Sequence, residues 1–336
     1  MSKYIIHLTP SLANNENKLS VNFGDVIIHH YLSKILEDIF TGKEIIEIST
    51  HDYLSKKEIH LIQNSALTII GGSNLLSSDI RSYNQWKTYQ RTIDYIFPSI
   101  ENILLLGVGW WQYQKNPTLL TKLFYRNVLH KNLIHSVRDT YSLNNLKLSG
   151  IHNCVNTSCP TTWNLNGQNL SNQTGKNKKC LFALTDYNTD KIVDNELINI
   201  LMLIYHELYF FPQGTEDEMY LLSLESYKKN KGKIKILERS FGELNSLIAQ
   251  GGIDYVGTRL HLGIHCLNNN INSLIISIDN RASEIQKDIN LPCIERISLK
   301  KIYDWNNRKL QFSPICLPNE SINIWKNQFS QITSAI

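Results

Sequence analysis

The stretch DYVGTRLHLGIHCL, residues 254–267, passes from a strand to a helix and sets the expected fold class. Residues 255–256 end a short apolar run, Gly257 follows, and a helical pattern covers residues 259–267. A strand that runs through a glycine into a helix is typical of βαβ units with a parallel sheet. The stretch also contains Arg259, His261 and His265, beyond the carboxyl end of the strand, where such sheets bind ligands.

Strand-like and helix-like segments alternate along the whole chain, which predicts an α/β fold with parallel sheets and helices on both faces. The predicted strands cover residues 4–8, 45–48, 67–70, 103–108, 133–137, 180–184, 208–211, 234–237, 255–256 and 274–278. The predicted helices cover residues 26–40, 56–63, 140–148, 190–205, 216–227, 241–249, 259–267 and 321–332.

One polar stretch interrupts this alternation. NLNGQNLSNQTGKNKK, residues 164–179, contains almost no apolar side chain and is typical of a linker. We therefore expect two Rossmann-like domains that face each other across a cleft. The predicted boundaries are residues 1–165 for the first domain, 166–179 for the linker, 180–315 for the second domain and 316–336 for a C-terminal helix.

Composition narrows the class of protein. Of 336 residues, 42% are hydrophobic and 19% are charged, so a sizeable core can form. Lys plus Arg number 34 against 30 for Asp plus Glu, a surplus too mild to indicate nucleic-acid binding. We expect a cytoplasmic protein, because no signal peptide or membrane-spanning run is evident, and peripheral contact with the inner face of a membrane stays open. The six cysteines form no CxxC pair and are expected to be reduced.

Arg259 and His261 are the strongest candidates for chemistry. An arginine binds anions through a planar fork of donors, and a histidine can exchange a proton near neutral pH. His265 lies one helical turn beyond His261, but neither an HExxH motif nor an evident third ligand accompanies the pair. We therefore expect no metal and no cofactor, and an inward His265 with a structural role.

Arg138 and Asp139 follow the predicted strand over residues 133–137. An arginine at that position is suited to the oxygens of a phosphate or a carboxylate. The alternative, an arginine paired with its neighbouring aspartate on the surface, is about equally common.

Two glycine-containing turns are further candidates. Asn22-Phe23-Gly24-Asp25 precedes a helix predicted to start near Val26, so Asp25 serves either as an ordinary N-cap or in a site. Gly71-Gly72-Ser73 follows the strand over residues 67–70, where backbone amides suit an anion. It is not a P-loop, and a plain strand-to-helix turn explains it equally well.

Trp110 and Trp111 follow another predicted strand end. Exposed tryptophan faces stack on sugar rings, whereas buried ones simply pack in a core. We expect a sugar-binding surface here, with core packing as the equal alternative.

Several strings together resemble the polysaccharide pyruvyl transferase family, with their order kept over about residues 20–296. The strings are NFGD at 22–25, GGSNLL at 71–76, SVRDTYSLNNLKLSGI at 136–151, NTSCPTTW at 156–163, GTRLHLGIHCL at 257–267 and IDNRASEIQKDINLPCIER at 278–296. The resemblance implies a GT-B-like fold. It also implies phosphoenolpyruvate as the donor and, as the acceptor, sugar hydroxyls of a cell-surface glycan or a lipid-linked precursor.

The resemblance also assigns roles to residues of this chain. Arg138 and the Arg259-Leu260-His261 motif correspond to the family's donor-binding positions, with Gly71, Gly72 and Ser73 as a donor-side turn. Family members often have a third glycine where this chain has Ser73. On the acceptor side we expect Asn22, Trp110 and Trp111. His261 is the expected general acid, and the acceptor's base is Asp25, Asp139 or His135.

Two other functions remain open from the sequence. A nucleotide-sugar glycosyltransferase of the same architecture would use similar arginines and need a carboxylate for ribose, for which Glu238 or Asp254 is available. A non-catalytic glycan-binding protein would use the two tryptophans alone.

Overall fold

The computed structural model describes residues 4–83, 85–87, 92–165 and 177–330. The chain divides into two compact units. The first consists of Met1–Ser20, Asp25–Trp163 and Leu317–Ile336, and the second of Val21–Gly24 and Asn164–Cys316. The last twenty residues thus group with the first unit, and a short segment from the first half of the chain groups with the second. Of the predicted linker, residues 166–176 lie outside the described part, and Lys179 already begins a strand.

The described residues of the first unit form six parallel strands. They are β1 (Tyr4–Thr9), β2 (Glu44–Ser49), β3 (Leu67–Gly71), β4 (Ile103–Leu106), β5 (His135–Val137) and β6 (Cys154–Asn156). The helices are α1 (Phe23–Ile39), α2 (Lys56–Gln63), α3 (Thr92–Ile96), α4 (Leu119–Val128) and α5 (Thr140–Leu148), with α13 (Asn319–Asn327) at the end of the chain. A short 3₁₀ helix covers Pro160–Thr162.

The strand order in the first unit is β2-β1-β3-β4, with β5 and β6 paired separately. A parallel bridge between Val108 and Val137 places β5 beside the end of β4. Because β1 pairs with β2 on one side and β3 on the other, the order reverses between β1 and β3. In open sheets the ligand binds beyond the carboxyl ends of strands at such a reversal.

Both faces of this sheet are covered by apolar side chains. Ile5 and Ile69 face α1 and α13, with Trp325 of α13 fully buried among them. Ile6 and Ile70, one residue further along each strand, face the opposite side and pack with residues of α2, α4 and α5. This alternation is what a parallel sheet between two helical layers requires.

Within its described ranges, residues 21–24, 164–165 and 177–316, the second unit also has six parallel strands. They are β7 (Lys179–Ala183), β8 (Glu207–Phe210), β9 (Ile234–Ile236), β10 (Ile253–Gly257), β11 (Asn272–Ser277) and β12 (Cys293–Glu295). The helices are α6 (Lys191–Ile204), α7 (Asp217–Ser223), α8 (Glu225–Asn230), α9 (Phe241–Ala249), α10 (Leu260–Asn268), α11 (Asn280–Ile289) and α12 (Lys301–Asn306). Two 3₁₀ helices cover Lys231–Lys233 and Arg296–Ser298.

The strand order in the second unit is β12-β11-β10-β7-β8-β9. Counted within the unit this is 6-5-4-1-2-3, the order of a doubly wound Rossmann sheet. The reversal falls between β7 and β10, the adjacent parallel strands that end at Ala183 and Gly257. The loops that follow these two strands are therefore where this unit is expected to bind a ligand.

Glycine lets α10 pack closely on one face of this sheet. A Cβ atom at Gly263 would stand 2.6 Å from Ile275 Cγ1 and 2.9 Å from Tyr255 Cε1. The hydroxyl of the buried Tyr255 donates a hydrogen bond to the carbonyl oxygen of Arg259, at 2.8 Å. Close packing and this hydrogen bond fix the start of α10.

Most predicted elements are confirmed, several of them to the residue. Lys56–Gln63, Thr140–Leu148 and Phe241–Ala249 are helices as predicted, and each has a serine or aspartate N-cap. The single helix predicted over residues 216–227 is wrong, because Leu224 adopts an extended conformation and separates α7 from α8. No prediction covered α3, α4, α11, α12, β6 and β12.

Candidate functional site

Arg259 and His261 lie at the strand-order reversal of the second unit. Arg259 directly precedes α10 in an extended conformation, and Leu260 and His261 are the first residues of that helix. Arg259 Nε donates a hydrogen bond to the carbonyl oxygen of Leu184, at 3.1 Å, just beyond β7. The guanidinium therefore lies across the ends of both strands that form the reversal.

A buried carboxylate holds the Arg259 guanidinium. Asp217 Oδ2 accepts a hydrogen bond from Arg259 Nε at 3.1 Å, and Asp217 Oδ1 accepts one from Nη2. Asp186 Oδ1 lies 3.3 Å from the same Nη2. The third nitrogen, Nη1, makes no hydrogen bond to any residue in the described part of the chain. Arg259 is thus oriented by two carboxylates and keeps one nitrogen for another acceptor.

Asp217 also connects the loops beyond β7 and β8. Its carboxylate accepts hydrogen bonds from the backbone amides of Asp186, Gln213 and Gly214, at 3.0, 2.9 and 2.8 Å. A Cβ atom at Gly214 would stand 2.7 Å from Arg259 Nη2, so the glycine leaves room for the guanidinium. Sequence reasoning missed Asp217. The available signal was an acidic residue in the first turn of a helix that follows a glycine turn.

An exposed tyrosine, Tyr187, lies beside the arginine. The guanidinium carbons of Arg259 and Arg281 lie 5.2 and 5.5 Å from the centre of the Tyr187 ring, and both contacts are cation–π interactions. Arg281 also contacts the Tyr187 hydroxyl and is held by Asp279. This edge of the sheet therefore combines two arginines with an accessible aromatic ring.

The predicted NFGD motif contacts the same edge. The Phe23 amide donates a hydrogen bond to the carbonyl oxygen of Gln213 at 2.8 Å, and the Phe23 ring packs against Phe211 and Phe241. A Cβ atom at Gly24 would stand 3.6 Å from Nδ1 of the buried His261. Gly24 therefore brings backbone close to the imidazole.

The N-cap of α1 is Asn22 rather than Asp25. The helix begins at Phe23, three residues before the predicted Val26. Asn22 Oδ1 accepts a hydrogen bond from the Gly24 amide at 3.1 Å, so Asn22 caps the helix and the N-cap assigned to Asp25 is wrong. Asp25 is buried in the first turn, with Ser20 Oγ 3.5 Å from its Oδ2.

Arg138 is buried in the first unit, beyond the carboxyl end of β5. Its side chain is 1% exposed, so the alternative of a surface arginine is wrong. Nε donates a hydrogen bond to Asp139 Oδ2 at 3.2 Å, while Nη1 and Nη2 have no hydrogen-bond partner among the described residues. A Cβ atom at Gly109 would overlap the guanidinium. The arginine is thus held over a glycine with two donor nitrogens unsatisfied, and buried donors in that state call for an acceptor.

Gly71-Gly72-Ser73 does not form the expected strand-to-helix turn. Residues 72–83 contain no helix, and the Gly72 amide already donates to the carbonyl oxygen of Leu106 at 2.9 Å. Gly72 has a φ of 69° and faces Ile28 so closely that a Cβ atom would overlap it. Ser73 has a φ of 55°, the left-handed region that glycine adopts without strain. The turn therefore serves close packing against α1.

Trp110 cannot stack on a sugar ring, because its side chain is 0% exposed. Its Nε1 donates a hydrogen bond to Ser78 Oγ at 3.2 Å, and its ring packs against Tyr125. Trp111 is half-buried and stacks on Tyr83 with ring centres 3.7 Å apart. Of the two tryptophans, Trp111 is the one that remains available as an aromatic surface.

Two of the three candidate bases have structural roles. Asp139 caps α5 through the Ser142 amide, at 2.7 Å, and pairs with Arg138 through its other oxygen. His135 is fully buried; Nε2 lies 2.9 Å from the carbonyl oxygen of His130, and Nδ1 accepts from the Leu105 amide at 3.3 Å. Asp25 is the remaining candidate.

The other histidine and the predicted ribose carboxylate also have structural surroundings. His265 is buried with Nε2 3.1 Å from Asn245 Oδ1. Asp254 accepts hydrogen bonds from Tyr205 and Asn177 near the amino end of β10, at the edge opposite Arg259. Burial raises the pKa of the Asp254 carboxyl, although these hydrogen bonds oppose the shift. Glu238, the other predicted ribose ligand, is exposed just after β9.

Comparison with known protein families identifies the chain. The model of the polysaccharide pyruvyl transferase family matches residues 22–280, which covers both arginines and His261. The chain belongs to the polysaccharide pyruvyl transferase family. A search of curated protein sequences finds no match to this chain.

Several solved structures have similar folds. UDP-GlcNAc 2-epimerase of Methanocaldococcus jannaschii is 13% identical with a TM-score of 0.54, covering 100% of both chains. S. aureus MnaA, solved with UDP, is 13% identical with a TM-score of 0.57 and coverage of 96% of this chain and 95% of its own. UDP-N-acetylglucosamine 2-epimerase of Rickettsia bellii is 13% identical with a TM-score of 0.54, covering 100% of this chain and 96% of its own. At this identity the likeness concerns the fold, which is the predicted GT-B-like α/β class.

None of the helices in the described part of this pyruvyl transferase family member is both long enough and apolar enough to cross a membrane.

The burial of His135 predicts how stability depends on pH. Burial lowers the pKa of His135 to about 4. The unfolded chain, with an imidazole pKa of about 6.5, therefore binds a proton that the folded chain excludes between these values. Stability should fall as pH decreases through this window, by at most ~1.4 kcal/mol per pH unit from this residue.

His135→Asn should remove that contribution, so the stability gap between wild type and variant should narrow as pH falls from about 6.5 to about 4. Chemical denaturation at a series of pH values measures the gap. His152→Asn, at an exposed histidine in the same unit, is the control. A wild-type-to-His135→Asn gap that stays constant across the window contradicts the assignment.

Proposed function

We propose that this protein transfers the pyruvyl group of phosphoenolpyruvate to sugar hydroxyls of a cell-surface glycan or its lipid-linked precursor, forming a pyruvate ketal. The observation that carries the proposal is the position of Arg259 and His261 at the strand-order reversal of the second unit, within the matched family region. Phosphoenolpyruvate is an anionic enol ester. Its reaction needs a cation that binds the anion and a proton donor for the methylene carbon, both beside a ligand-binding edge.

Arginine contacts account for recognition of the donor. Phosphoenolpyruvate carries a phosphate and a carboxylate, and a guanidinium matches either in a bidentate way. In this proposal Arg259 offers its Nη1, while Asp217 keeps the fork in place. Arg138, with Nη1 and Nη2 unsatisfied, is proposed as a second donor contact. Leu260 contributes apolar packing at the start of α10, and Gly71, Gly72 and Ser73 contribute the shape of their turn.

The proposed reaction begins with a proton transfer. His261 delivers a proton to the methylene carbon of phosphoenolpyruvate, which makes the neighbouring carbon electron-poor. A sugar hydroxyl attacks that carbon and loses its proton to Asp25, the C–O bond to phosphate breaks, and phosphate leaves with its electron pair. A second hydroxyl of the sugar then attacks the resulting cationic carbon and gives its proton to His261, which closes the ketal and restores the acid, while the proton held by Asp25 passes to the departing phosphate.

The acceptor side is proposed to use Asn22 and the half-buried Trp111. Trp111 is the available aromatic face of the predicted pair, since Trp110 belongs to the core. Stacking on an aromatic ring is a common way to hold a sugar. We propose a cytoplasmic location, at the inner face of the membrane if the acceptor is lipid-linked.

A nucleotide-sugar glycosyltransferase is the second candidate. The 6-5-4-1-2-3 strand order and the exposed Tyr187 beside two arginines favour it, because such sheets often hold nucleotides. The buried position of Asp254 at the opposite edge removes one of its two possible ribose ligands. The family match favours pyruvyl transfer.

Replacing each arginine by lysine tests the donor contacts. Alanine is unsuitable at 259, because breaking a buried ion pair destabilises a protein by about 3–5 kcal/mol. Arg259→Lys and Arg138→Lys keep the charge and lose the fork of donors. Each should weaken phosphoenolpyruvate binding by ~10-fold or more, the equivalent of a charged hydrogen bond, measured by calorimetric titration.

Two other arginines serve as matched controls. Arg296 pairs with the buried Asp194 in the second unit, and Arg126 lies against Gly150 at the far end of α5. Arg296→Lys and Arg126→Lys should bind phosphoenolpyruvate as the wild type does. Donor affinity that falls equally in test and control variants would show a general loss of structure and refute the assigned contacts.

His261→Gln tests the general acid. Glutamine can still form a hydrogen bond but cannot deliver the proton. Donor affinity should stay within about tenfold of wild type, while turnover should fall by ~10²-fold or more. Release of phosphate from phosphoenolpyruvate in the presence of an acceptor glycan measures turnover.

His265→Gln is the matched control, one helical turn away on α10 and in contact with Asn245. It should lower thermal stability more than turnover. If His265→Gln loses turnover and His261→Gln keeps it, the general acid has been assigned to the wrong histidine.

A further inference from the structure

Two histidines and a glutamate converge in the first unit, and none of the three takes part in the proposed reaction. His7 of β1 and Glu47 of β2 are direct cross-strand partners in the parallel register, and His29 lies on α1, which covers that face of the sheet. One potential ligand atom from each lies within 4.8 Å of the others. Rigid elements thus bring three metal-ligating side chains together.

The distances within this His7–His29–Glu47 cluster suit a small metal ion. Glu47 Oε1 lies 3.2 Å from His29 Nε2 and 3.9 Å from His7 Nδ1. Ligand bonds of ~2.0–2.2 Å in a tetrahedral site place ligand atoms ~3.3–3.5 Å apart, between these two values. The two imidazole rings are stacked with their centres 5.7 Å apart.

An independent observation is the unsatisfied state of the buried imidazole. His7 is 0% exposed, and neither of its ring nitrogens has a hydrogen-bond partner among the described residues. A Cβ atom at Gly71 would stand 3.0 Å from His7 Nε2, so this nitrogen faces Gly71 and Nδ1 faces the cluster. Burying a polar group without a partner is costly. A metal bond from Nδ1 would satisfy one of the two nitrogens.

We propose that His7, His29 and Glu47 bind one Zn²⁺ ion. Two imidazole nitrogens and one carboxylate oxygen are a known zinc donor set that leaves a fourth position for water. Imidazole ligands favour zinc and related transition metals over magnesium or calcium. His29 and Glu47 are 25% and 33% exposed, so an ion and its water can reach the cluster.

Zinc at this position would tie α1 to β1 and β2. The proposed site lies within the first unit, and the inference does not depend on the proposed pyruvyl transfer. It revises the expectation from sequence that the chain holds no metal ligand set. Spacing along the chain gave no indication, because the three residues come together only through strand pairing.

Zinc binding to the full chain tests the inference directly. Metal-free protein is titrated with Zn²⁺ in competition with a chromophoric chelator, and Co²⁺ is used in parallel for its visible absorption as a four-coordinate ion. We expect one zinc per chain and a rise in melting temperature with zinc. His29→Gln and Glu47→Gln should each weaken binding at least ~10-fold, because loss of even an outer contact to a ligand typically costs 10- to 100-fold.

His30→Gln is the matched control, since His30 is adjacent on α1 and its Nε2 lies 3.1 Å from Lys34 Nζ. It should bind zinc as the wild type does. Circular dichroism checks that each variant folds, and the partly exposed His29 provides the variant least prone to misfold. The inference is overturned if the wild type binds no stoichiometric zinc. It is also overturned if His29→Gln and Glu47→Gln bind as tightly as wild type, which would assign the ion to another of the eleven histidines.

Discussion

The ion pair between Asp217 and Arg259 organises the ligand-binding edge of the second unit. Asp217 is fully buried and accepts hydrogen bonds from three backbone amides as well as from the guanidinium. These donors belong to the loops after β7, β8 and β10, so one carboxylate fixes the relative positions of three loops. Since an unpaired buried charge costs several kcal/mol, loop positions and side-chain orientation depend on each other.

This constraint explains how Arg259 can be both structural and functional. A free arginine on a loop would lose much rotamer entropy on binding a ligand. Here Asp217 and the Leu184 carbonyl have already fixed the guanidinium, with one nitrogen left without a protein acceptor among the described residues. In the first unit, the guanidinium of Arg138 is also fixed by its neighbours. Asp139 accepts a hydrogen bond from its Nε, and Gly109 leaves space for the guanidinium plane. Both arginines are preorganised donors. Preorganisation raises the affinity for an anion, because less side-chain entropy is lost on binding.

Local sequence patterns predicted the architecture well, because the strands, turns and helix caps of α/β units are specified by residues that are close together in sequence. The strand–glycine–helix junction around Gly257 and the capped helix after Asp139 are decided by neighbours in sequence. Tertiary contacts were harder to foresee. Trp110 lies in the core because Ser78 and Tyr125 surround it, and Asp217 acquires its role from residues that are distant in sequence. Asn22 rather than Asp25 caps α1 because the helix starts earlier than its apolar pattern does.

The central claim is that the chain recognises phosphoenolpyruvate as its donor. The most direct measurement is calorimetric titration of the wild-type protein with phosphoenolpyruvate and, separately, with UDP-sugars. The account predicts saturable binding of phosphoenolpyruvate at one site per chain, with no heat of binding from the nucleotide sugars. Saturable binding of a UDP-sugar with none of phosphoenolpyruvate would contradict it and assign the arginine-lined edge to a nucleotide.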